Sequence, residues 1–123
     1  MLYASLDETD GLAHAGRYTE VLEALARIDR WLERLWDALQ ADGDYRHRTA
    51  LVVTTDHGRG RTPDHWHEHG ADVKGAEDVW TAFVVPESPR RGVWRNGPTV
   101  THDQLAATLA RLMGLDYSMD NPA

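Results

Sequence analysis

Two aspartate–histidine pairs and a crowd of histidines mark where this chain can do chemistry. Asp10 is followed four residues later by His14, and Asp56 is followed at once by His57. Four of the seven histidines lie between His57 and His69. Carboxylate and imidazole are the donors that suit zinc and similar divalent ions. Two such pairs on one rim could hold two ions, which together clamp the attacking and leaving oxygens of a phosphoryl transfer. Taken singly each residue has a plainer use, since an aspartate after a strand is often a turn former or a helix cap. It is the repetition of the pair, with a histidine-rich loop after the second, that points to metal.

The elements must bring those residues together. "LYASL" (Leu2 to Leu6) reads as a short strand stopped by acidic "DETD", with "GLAHAG" a loop after it. From Tyr18 to Gln40, Val21, Leu22, Leu25, Ile28, Trp31, Leu32, Leu35, Trp36 and Leu39 recur at helical steps. They predict one long helix whose apolar stripe is core. "TALVVTT" (Thr49 to Thr55) and "VWTAFVV" (Val79 to Val85) are continuous β-rich runs, as in strands buried on both faces. Between them runs a loop of Gly, Pro, His and Asp. "THDQLAATLARLMG" predicts a helix with Thr101 as cap, Gln104 at the capping-box position and Gly114 as a left-handed stop. The tail "LDYSMDNPA" reads as loose. Strands alternating with helices predict an α/β fold, mainly parallel in its sheet and flanked by helices. In such folds ligands sit beyond the carboxyl ends of the strands, which places both Asp/His pairs on one rim.

Composition narrows the partners. At 123 residues and a formal charge of −7 the chain is one modest acidic domain, and no nucleic acid is expected as partner. There is no cysteine, so disulfides, thiolate zinc sites and thiol nucleophiles are excluded. No stretch approaches the ~20 apolar residues of a membrane span. The first residues carry no signal-peptide pattern, and localisation stays open. Met1 leads straight into a strand-like run, from which we expect the chain to begin inside a larger fold, with an unpaired strand edge prone to self-association.

"TTDHGRG" after an apolar run, "HEHG" further on and "DETDGLAH" upstream together resemble the metal-binding half of the alkaline phosphatase superfamily, and "THDQLAATLARLMGL" resembles its closing helix. The resemblance covers nearly the whole chain. It implies an alkaline phosphatase-like three-layer sandwich, with residues 1–123 as its C-terminal portion. It implies two divalent ions, zinc in the first instance, with manganese or calcium as alternatives. Asp10, His14 and His69 match the ligands of one site, and Asp56 and His57 two ligands of the other. His65 and His67 are rivals of His69, which is preferred for the glycine that follows it. With Arg59 and Arg61 they are also candidates to meet an anionic substrate. The substrate class implied is a small phosphate or sulfate ester. The nucleophile, a Ser, Thr or formylglycine, belongs to a missing N-terminal half of the domain, so the chain alone is expected to be inactive. The functional expectation is a metal-dependent phosphate mono- or diester hydrolase. A sulfatase, a phosphoglycerate mutase-like isomerase and a non-catalytic metal-binding module are the alternatives.

Overall fold

A computed structural model describes residues 1–88, 91–95 and 97–117. It divides into two compact units, Met1–Glu87 and Ser88–Ala123. The first unit holds helices α1 (Glu8–His14) and α2 (Tyr18–Ala41) and strands β1 (Leu51–Thr54) and β2 (Thr81–Val84). The second holds helix α3 (Asp103–Leu112). No helix among the described residues is long and apolar enough to cross a membrane.

The segment expected to be a loop after the first strand is helix α1. Its charges favour that state: Glu8 and Asp10 lie in the first turn and His14 in the last, each complementing the helix dipole. Its end is a Schellman turn. Gly16 adopts φ 70°, its amide donates to the Ala13 carbonyl at 2.8 Å, and the Arg17 amide reaches back to Leu12 at 3.0 Å. Gly11 in mid-helix lowers local propensity, and so hid the helix from a reading by pattern.

Helix α2 spans the predicted range and packs against α1. Ala13 of α1 and Ala24 of α2 are fully buried, and the side chain of Arg27 donates to Glu8 at 2.6 Å across the pair. The apolar stripe is less buried than expected, with Leu22, Leu25 and Trp31 near half exposed. Length explains this. At a rise of 1.5 Å per residue, seven residues span about 10 Å and the 24 of α2 about 36 Å, so α1 covers one part of the stripe only.

β1 and β2 form a two-stranded sheet in antiparallel register, Leu51 opposite Val84 and Thr54 opposite Thr81. The expected parallel order does not hold for this pair. Two apolar runs carry no information on direction. Parallel neighbours need a crossover, usually helical, and residues 55–80 instead run out and back as turns. Leu2–Leu6 is no strand either: nothing pairs with it among the described residues, and Leu2 and Tyr3 are 85% and 82% exposed. The two helices of this unit and its small sheet are an α/β assembly, though not a parallel one.

In the second unit α3 ends as predicted. Gly114 has φ 71°, its amide donates to Arg111 at 3.1 Å, and the Leu115 amide donates to Ala110 at 2.9 Å. At the start the capping position falls on His102, not Thr101, but Gln104 reaches back to the Thr101 amide at 3.1 Å as a capping box requires. Residues 118–123 of the expected loose tail, and 89, 90 and 96 of the loop before α3, lie outside the described residues.

Candidate metal centre

Helix α1 carries Asp10 and His14 one turn apart on one face, with Oδ2 of Asp10 3.5 Å from Nε2 of His14. His57 arrives from the end of β1, two residues after Thr55. His69 arrives from the long loop. Oδ1 of Asp10 lies 3.6 Å from Nε2 of His57 and 3.5 Å from Nε2 of His69. The Nε2 atoms of His14 and His69 are 3.0 Å apart. The His57 and His69 rings stack, with centroids 3.8 Å apart. Asp10, His57 and His69 thus offer three ligand atoms mutually within 4.8 Å, and His14 stands against two of them.

These spacings fit a metal. Around a tetrahedral zinc with bonds of about 2.0–2.1 Å, neighbouring donors are roughly 3.3 Å apart. The separations of 3.0, 3.5 and 3.6 Å bracket that edge. The orientation of His57 fits as well. Its Nδ1 is 2.8 Å from the Gly58 carbonyl, which can only accept, so Nδ1 carries a proton and Nε2 is the ring nitrogen that faces Asp10. A histidine that gives its other N–H to a carbonyl is the usual arrangement behind a metal ligand.

Asp56 stands at the outer side. It is 91% exposed, accepts the His57 amide at 3.0 Å and reaches within 3.8 Å of His57 Nε2. Two carboxylates therefore approach the same Nε2 of His57, Asp10 from the less exposed position and Asp56 from the more exposed one.

Of the other four candidates, one reaches into the cluster and three are engaged elsewhere. Arg59 pairs with Oδ1 of Asp10 and donates to the His67 carbonyl at 3.4 Å. Arg61 pairs with Asp78 through Nε and Nη2. His65 is 2.7 Å from Glu68, and His67 is 3.9 Å from the same carboxylate. Reading by residue type missed these partners. The signal for Glu68 was its three-residue spacing from His65, while nothing in the sequence announced that Arg59 reaches back to Asp10.

Partial desolvation alone would raise the pKa of Asp10. The Arg59 hydrogen bond and charge, with smaller help from His14 and His69, outweigh it and hold the carboxyl below its ordinary value. A depressed folded-state pKa adds stability above the unfolded value of about 3.9, and loses it as pH falls through the folded one. In the metal-free chain, Arg59→Met should therefore lower the urea midpoint at pH 7 and narrow its drop between pH 7 and pH 3. Equal acid sensitivity of the two proteins would show that the pair contributes nothing.

The loop that delivers His69 is fastened through glycines. The Gly58 amide donates to Ala76 at 2.8 Å and the Gly60 amide to Glu68 at 3.1 Å. A Cβ on Gly58 would collide with the carbonyl oxygens of Gly75 and Asp78, so its role is close backbone approach. Beside the cluster opens a cleft of about 260 Å³, lined by His57, His69, Gly70, Ala71, Ala76 and Glu77.

No curated protein and no solved structure matches the chain. The model of one family does: type I phosphodiesterase / nucleotide pyrophosphatase, over residues 1–105. That span contains α1, α2, both strands, the loop and every residue of the cluster. The chain belongs to the type I phosphodiesterase / nucleotide pyrophosphatase family, phosphoester hydrolases of the alkaline phosphatase superfamily.

Proposed function

We propose that Asp10, His14, His57 and His69 hold a catalytic divalent ion, with zinc the best fit, and that the protein serves metal-dependent hydrolysis of small phosphate esters. The observation that carries this is the group of Asp10, His57 and His69, whose ligand atoms lie within 4.8 Å of one another, with His14 Nε2 3.5 Å from Asp10 and 3.0 Å from His69. Asp56, which stands outside the mutual group, would belong to a second ion. A divalent ion here supplies Lewis-acid charge to the oxygens of the transferring phosphoryl group.

The chain's own residues prepare that site. Arg59 keeps Asp10 ionised and ties the histidine loop to α1. The Gly58 carbonyl holds a proton of His57 on Nδ1. His69 comes last in sequence and closes the group. In this reading residues 1–123 are the metal-holding C-terminal portion of an alkaline phosphatase-like sandwich, and another part of the domain provides the nucleophile.

Calorimetry with Zn²⁺ on the wild type and on the Asp56→Ala/His57→Ala double variant tests the metal. Uptake by the wild type and loss in the variant are expected, and equal weak binding in both removes the proposal. Hydrolysis of p-nitrophenyl phosphate, its bis-ester and the sulfate with Zn²⁺ or Mn²⁺ tests the division of labour. The 123 residues alone should give no robust turnover. Robust phosphate turnover would put the nucleophile inside this chain, and turnover of the sulfate alone would make it a sulfatase.

A further inference from the structure

The cleft beside the cluster has a chemical character of its own. Two of its lining residues, His57 and His69, belong to the candidate metal centre. Gly70, Ala71 and Ala76 give it small, mostly apolar walls, and Glu77 is its one carboxylate. Glu77 is not loose: its Oε2 accepts the Gly75 amide at 2.8 Å. A carboxylate has about four acceptor positions, so capacity remains after that bond. Arg61 is near enough to feel the charge of Glu77, but its Nε and Nη2 are committed to Asp78.

We propose that this cleft receives the alcohol half of the phosphate ester and that Glu77 determines specificity by selecting alcohols that carry a hydrogen-bond donor. This rests on the reading of the cluster as a phosphate-ester site. An ester whose phosphoryl group sits at His57 and His69 has its organic part next to the cleft. A volume of about 260 Å³ admits a group of several heavy atoms. The lining holds no Phe, Tyr or Trp to stack on a flat ring. An ionised carboxylate only accepts, so what it rewards is a donor: an ammonium most, a hydroxyl less. Both share the same recognition chemistry, and the probes below separate them.

The test uses the zinc-loaded chain and three phosphate monoesters of nearly one shape: 2-aminoethyl, 2-hydroxyethyl and propyl phosphate. Zinc titration comes first. Without zinc uptake the reading beneath this inference falls and takes it along. With uptake, 2-aminoethyl phosphate should bind about tenfold tighter than propyl phosphate, as a hydrogen bond to a charged group implies. The hydroxyethyl ester should fall between them. Glu77→Gln keeps an acceptor for Gly75 and should remove the ammonium preference while sparing much of the hydroxyl one. Ala71→Leu fills the cleft and should weaken all three esters alike. Zinc uptake with no preference for the amine, or a preference that survives Glu77→Gln, overturns the inference and leaves the metal reading intact.

Discussion

Asp10→Asn should lower zinc affinity by more than about 100-fold, the largest effect of any single substitution in the cluster. Loss of a partner that only orients a ligand costs 10–100-fold, and Asp10 is more than that. Its two oxygens face His14, His57 and His69, and one of them also takes Arg59. Asparagine keeps the shape but loses the anion and offers one poorer oxygen. It also leaves the Arg59 guanidinium, half-buried, without its counter-charge. Asp56→Asn makes the comparison. Asp56 is open to water and touches the cluster only through His57, so its loss should spare the tighter binding event and remove a weaker second one. Zinc calorimetry on the three proteins reads this directly, with circular dichroism to show that α1 and α2 persist. Asp10→Asn binding zinc within tenfold of the wild type would mean that the ion sits elsewhere.

Residue types and order marked Asp10, His14 and His69 for one ion and Asp56 and His57 for another; in the structure it is Asp10, His57 and His69 that form the mutual group, with His14 against Asp10 and His69 and Asp56 outside it. Helix α2 was legible because its apolar period repeats over six turns, and the end of α3 because Gly114 is suited to the left-handed turn it makes. Strand partnership was not legible. Val52 and Phe83 sit opposite each other in an antiparallel pair, yet nothing in "LVV" or "TAFV" distinguishes that from a parallel one. Leu2–Leu6 had the pattern of a strand, but a strand exists only with a neighbour to bond. Helix α1 was masked by Gly11. The partners of Arg59 and Arg61 depend on how the loop folds back, 49 residues away from Asp10 in one case and 17 from Asp78 in the other. Local pattern holds no record of contacts at that range.

Gly58→Ala should destabilise the first unit by about 3 kcal/mol, the upper end of what overpacking costs. The usual cost of a glycine lies in its freedom, and here the freedom is not what matters. The added methyl would drive into two backbone carbonyls, those of Gly75 and Asp78, which cannot swing aside as a side-chain tip could. Relief requires the strand end at His57 and the returning arm at Ala76 to part, breaking the 2.8 Å bond between Gly58 and Ala76. That displaces His57, whose Nδ1 is held by the Gly58 carbonyl, so zinc affinity should fall together with stability. Gly11→Ala is the control on the same unit. Nothing lies within 4 Å of a Cβ there, and the site is inside α1, so alanine should stabilise by about 0.5–1 kcal/mol and leave zinc binding unchanged. Urea unfolding of the metal-free proteins gives the stabilities, and zinc titration the affinities. A Gly58→Ala protein as stable as the wild type, with zinc affinity intact, would show that the loop does not need that close approach to deliver His69 to Asp10.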